Sequence, residues 1–131
     1  MALLKWLSFF IGAIVGTCFG GWSIGLEVLI ILTLFDYVTG IAHAAITGSL
    51  SSKVGYLGAM RKTFIFVIVA AAHFADIVTN QNLFMTATIF FYIANELLSI
   101  LENAANIGVP IPGILKKALA ILQEKGGSAN E

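Results

Sequence analysis

The chain has 131 residues, of which 59% are hydrophobic and only 11% charged, with a mean hydropathy of +0.96, a balance outside the range of soluble globular domains. Seven Lys and Arg offset seven Asp and Glu, so no net basic field exists to hold nucleic acid, and each charge matters through its position. One cysteine, Cys18, allows neither a disulfide framework nor a cysteine zinc site within one chain.

Apolar runs long enough to cross a bilayer predict an all-α integral membrane protein with four spans, at about 6–24, 26–46, 63–79 and 83–101. In the first, Lys5 precedes an apolar run without an A-x-A-like cleavage site, which reads as a retained span. Gly12, Gly16 and Gly20 recur every four residues, continuing a rhythm begun by Ser8. Small residues at that spacing let helix backbones approach closely, so these positions, with Gly40 on the second span, are the expected packing or oligomerisation surface. "GGWSIG", Gly20 to Gly25, combines helix-weakening glycines with an interfacial tryptophan and predicts a tight hairpin. Merging the first two spans into one would leave a three-span alternative.

The second span carries Asp36 near its centre, with Thr33, Gly40, His43 and Thr47 close to the same helical face. An acid there costs about 2.5–3.5 kcal/mol on the insertion scale, which surrounding Leu, Ile, Val and Phe can offset. Being tolerable does not explain its presence, because an intramembrane ionisable group is normally aimed at a bundle interior or an aqueous cavity. The stretch "TGSLSSKVGYLGAMRK", residues 47–62, reads as a connection whose Lys53, Arg61 and Lys62 anchor it on the cytoplasmic side. In the third span His73 and Asp76 stand at i and i+3 near the outer boundary.

On the fourth span Thr88, Tyr92, Asn95, Glu96, Ser99, Glu102 and Asn103 recur at steps of three and four, forming one polar stripe. Two arrangements satisfy it. Either the stripe lines water, or it is buried once inside a bundle with Glu96 and Glu102 met by Arg61, Lys62 or backbone donors.

After the transmembrane region, residues 1–107, Pro110 and Pro112 interrupt the pattern. Residues 108–125 form a Pro-hinged amphipathic surface helix with Lys116 and Lys117 on its polar side, and 126–131 a disordered tail. Lys5, Lys53, Arg61, Lys62, Lys116, Lys117 and Lys125 all fall on one side of a four-span topology, which places both termini in the cytoplasm.

No H-E-x-x-H, G-x-S-x-G, P-loop or dinucleotide fingerprint occurs, so neither an enzyme nor a cofactor or metal is expected. A pore former and a small ion channel or proton-coupled transporter, with Asp36, His43, His73 and Asp76 as a relay, remain the two functional classes.

Five features narrow this choice: "FDYVTG" at Phe35 to Gly40, Gly58 to Lys62 before the third span, Asp76, "NELLSILEN" at Asn95 to Asn103, and "GVPIP" at Gly108 to Pro112. In this order, from about Leu32 to Leu122, the chain resembles the small phage holins of Gram-positive systems that also include toxin-secretion holins. The resemblance implies accumulation in the bacterial cytoplasmic membrane and homo-oligomeric lesions through which an endolysin or toxin escapes, direct contact between the two not being necessary. It also admits an antiholin. It makes Asp36, Asp76, Asn95, Glu96, Glu102 and Asn103 the polar signature, while Asp36, His43, His73, Asp76, Tyr92, Asn95, Glu96, Ser99, Glu102 and Asn103 are the candidate intramembrane polar or pore-lining set. The tail "LQEKGGSANE" departs from the densely charged ends of many such proteins.

Overall fold

A computed structural model of the chain describes residues 1–127. It is all-helical among those residues: α1 (Ala2–Phe19), α2 (Ile24–Ile46), α3 (Ser52–Thr79), α4 (Phe84–Asn106) and α5 (Gly113–Gly127). The first four are long and apolar enough to cross a membrane. Of the expected tail, Gly126 and Gly127 close α5, and 128–131 lie outside the described residues.

The α1–α2 hairpin forms for the reasons its sequence suggests. Gly20 ends α1 in the left-handed region at φ 69°, and Gly21 follows at φ 114°, backbone states that favour glycine. Ser23 then caps α2 by accepting a hydrogen bond from the Leu26 N–H at 3.2 Å. Glu27, in the first turn of α2, suits the positive end of the helix dipole and accepts from the Trp22 indole at 3.3 Å.

The stretch read as a connection between the second and third spans is mostly helix. Ser51 accepts from the Val54 N–H at 3.2 Å and starts α3 at Ser52. Arg61 and Lys62 are therefore helical residues well inside α3 rather than loop anchors, and only Lys53 stays at the helix start. Cap chemistry outweighed glycine content: Gly55 and Gly58 serve packing, with the Tyr37 ring of α2 so close to Gly58 that a Cβ there would stand 3.3 Å from it.

Helix α4 packs against both α2 and α3, α2 and α3 touch each other less, and α1 leans on α3. The apolar centre consists of Leu29, Ile65, Val69 and Ile89, flanked by Phe19, Phe66, Met85, Tyr92 and Ile93. No residue of α1 is buried, and open space surrounds Gly12 and Gly16 within the chain. Gly20 differs, since a Cβ there would meet the His73 ring at 2.7 Å.

Candidate functional site: a charged cluster across three helices

Asp36, Lys62 and Glu96 each stand ten residues from the helix end on one side of the bundle, Ile46 of α2, Ser52 of α3 and Asn106 of α4. At about 1.5 Å per residue they share one level, about 15 Å from those ends. Antiparallel packing thus brings together three charges that are remote in sequence.

The Lys62 ammonium donates to the Asp36 carboxylate and to both oxygens of Glu96, at 2.9 Å and 2.7 Å. Asp36 and Glu96 are buried, at 6% and 4% exposure. The Asn103 amide donates to the second oxygen of Asp36 at 3.1 Å and to the Thr39 hydroxyl at 3.2 Å, and Thr39 in turn donates to the Asp36 carbonyl. Gly40 faces the same amide, and a Cβ there would stand 3.6 Å from the Asn103 nitrogen, an ordinary contact. One ammonium therefore serves two buried acidic side chains, so acids outnumber the cation in a region where unpaired charge is expensive.

A cleft of about 440 Å³ reaches this cluster from the same side, lined by Asp36, Gly40, Leu57, Gly58, Arg61 and Asn103 among others. Across it α2 and α3 are bridged by Lys62 and by the Tyr37 hydroxyl, which donates to the Gly55 carbonyl at 3.3 Å.

The fourth-span stripe divides in two. Tyr92, Glu96, Ser99 and Asn103 are buried or half-buried, whereas Asn95 and Glu102 are exposed. On α2, Thr33 is buried and returns its hydroxyl to the Leu29 carbonyl at 2.6 Å, while His43 is half-buried and stands two turns beyond Asp36.

Asp76 belongs to a separate site at the opposite end. Its carboxylate accepts the backbone N–H groups of Leu83, Phe84 and Met85 at 3.0, 2.8 and 2.9 Å. Leu83, the residue before α4, offers no side-chain cap, so Asp76 from α3 caps α4 instead. Lys62 and His73 are eleven residues apart on α3, about 16 Å along the axis. The structure thus does not bring Asp36, His43, His73 and Asp76 into one relay. Among the described residues no His, Cys, Asp and Glu side chains gather into a metal-binding group.

Sequence reading offers Lys62 as one possible partner of Glu96 but does not pair it with Asp36, because it assigns the residue to a loop. The Ser51 cap was the available signal: starting α3 there puts Lys62 level with both acids.

Residues 13–124 match the sequence profile described as the bacteriophage holin family. An uncharacterised protein of Halalkalibacterium halodurans is 46% identical over 129 residues, covering 93% of this chain and 95% of its own. An uncharacterised protein of Clostridium perfringens, encoded in the nagH 3′ region, is 37% identical over 124 residues, with 93% and 94% covered. A probable holin of Bacillus phage phi105 is 36% identical over 107 residues, with 81% and 79% covered. No solved structure matches the chain.

Proposed function

The chain belongs to the bacteriophage holin family, and from that premise we propose that it assembles in the bacterial cytoplasmic membrane into a lesion that releases an endolysin or toxin and so leads to lysis of the host cell. The observation that carries this reading is the Asp36–Lys62–Glu96 cluster. In the single chain, three intramembrane charges are sealed by one another, and the cleft beside them already opens toward one face.

By the distribution of Lys and Arg, that face and both termini are cytoplasmic. Lys62 acts as a latch. While it holds Asp36 and Glu96, α2, α3 and α4 stay together and these three charges are kept from lipid. When copies gather and the helices part along the cleft, the same three charges, with Ser99 and Asn103, become hydrated lining. The exposed Asn95 and Glu102 then join Asp36 and Glu96 on wetted or subunit-facing surface. Gly12 and Gly16 of α1, with no neighbour inside the chain, offer a close-contact surface to another copy.

The test is expression of the full chain with an endolysin, together with a folded cytoplasmic reporter protein. Abrupt lysis with release of the reporter is the expected result. Passage of small ions without the reporter would replace the lesion with a selective channel. Insertion without lysis, combined with delayed lysis when a functional holin is co-expressed, would make the chain an antiholin.

A further inference from the structure

The two ion pairs of the charged cluster both belong to Lys62, and Arg61, its neighbour in sequence, enters neither. Arg61 is exposed and stands nine residues from the start of α3, about 13 Å along the axis. Beside it an apolar groove of about 380 Å³ runs between α3 and α4, lined by Leu57, Met60, Phe64, Ile65, Ile68 and Tyr92. A guanidinium at that depth, above a greasy trough, is poorly served by acyl chains.

Helix α4 exposes a different face. Asn95 and Glu102, two turns apart, are both open to the outside, and Phe91 continues that face at 60% exposure. Asn95 adjoins Glu96 and Arg61 adjoins Lys62, so Asn95 and Arg61 share a level. Glu102 stands about 9 Å closer to the cytoplasmic end. Side chains lean toward the N-terminus of their own helix. On α3 that carries Arg61 toward the cytoplasmic end, and on antiparallel α4 it carries Glu102 away from it, so the two converge in height.

We propose that the groove beside Arg61 in one copy receives the Phe91–Asn95–Glu102 face of α4 from a second copy, with the Glu102 carboxylate on the Arg61 guanidinium. The inference rests on the assembly reading above and names its contact. Opposite charges at matching height make the two faces complementary, and Phe91 supplies an apolar group for the trough. The two patches are different surfaces, so the contact is head-to-tail and repeats from copy to copy, as a ring or arc requires.

The experiment uses the full chain in native membranes, formaldehyde cross-linking as the readout, and alkaline extraction to confirm insertion. Arg61→Glu alone and Glu102→Arg alone should each lower cross-linked species by about tenfold or more. Co-expressing the two variants should restore mixed dimers, because the exchanged charges then face each other across the contact with opposite sign. If Arg61→Glu does not insert, Arg61→Gln and Glu102→Gln replace the pair, with equal losses singly and no further loss together. An inserted Arg61→Glu chain that cross-links like the parent overturns the contact. So does cross-linking in vesicles that follows their phosphatidylglycerol content and ignores residue 102, which would assign Arg61 to a lipid phosphate. Reporter release is scored separately: a contact that stands without release removes the lesion reading, and release that survives loss of the contact removes only the contact.

Discussion

The two ends of the bundle satisfy buried acid in opposite ways. At the end where α3 turns into α4, Asp76 is held by three backbone N–H groups of α4, neutral donors that belong to the fold and have nowhere else to go. Toward the opposite end Asp36 and Glu96 depend on a single ammonium, Lys62, with Asn103 assisting. The first is a clasp that keeps α3 and α4 joined whatever the helices do elsewhere. The second is a latch whose release would part three helices at once. On the proposed reading, a bundle that is sealed before it opens needs both kinds of site.

The largest expected effect comes from removing the latch cation. Lys62→Met leaves two buried carboxylates without their donor, a loss of about 3–5 kcal/mol for a broken buried pair. The full chain should accumulate poorly, and its helices should come apart at lower SDS fraction in mixed micelles. Adding Asp36→Asn and Glu96→Gln to the same chain should recover much of that stability, because the uncompensated charges are then gone. Normal stability of Lys62→Met by itself would dissolve the distinction between latch and clasp.

How legible this was differs by residue. Four long apolar helices and the α1–α2 turn at Gly20 follow from composition and backbone chemistry, so they were readable along the chain. The acids Asp36, Asp76 and Glu96 were conspicuous because apolar neighbours set them off. Their partners were harder to read, because partnership depends on the register between helices. Lys62 looked like one more positive charge near a span end until Ser51 set the start of α3. Asp76 sat within reach of His73 in sequence, yet it spends its lone pairs on the next helix, since Leu83 leaves the N-terminus of α4 uncapped. The polar stripe on α4 was real as a pattern but wide: at about 100° per residue it covers about 120° of the helix, with Asn95 and Glu102 on its exposed edge and Glu96 and Asn103 on its inward edge.

Asp76→Ala ranks next. It uncovers three N–H groups at the start of α4 and should loosen the α3–α4 hairpin, read as faster amide exchange at Leu83, Phe84 and Met85. Asp76→Asn keeps one acceptor oxygen and should fall between the parent and Ala. If the site is a clasp only, neither variant should alter the cross-linked species that the Arg61–Glu102 contact is proposed to support. Gly20→Ala should cost about 1–2 kcal/mol, because the residue sits at φ 69° and its Cβ would press on His73 at 2.7 Å. That loss should be relieved in part by His73→Ala, which removes the contact and leaves the backbone strain, as a double-mutant cycle in mixed micelles would show.

Tyr37→Phe carries the smallest stability change and the sharpest question. The hydroxyl makes one hydrogen bond to Gly55 at 3.3 Å, worth about 0.5–1 kcal/mol, and the ring that packs on Gly58 is kept. Accumulation and micelle stability should scarcely move. Yet this bond ties α2 to α3 across the mouth of the cleft, where Lys62 is the other bridge. If opening begins there, even a small loss lowers the free energy needed to part those helices while leaving the Asp76 clasp intact. Lysis timed with a co-expressed endolysin should then come earlier for Tyr37→Phe at equal protein level. Unchanged timing would mean the helices part elsewhere, and the cleft would be a passive gap between α2 and α3 rather than the line along which the bundle opens.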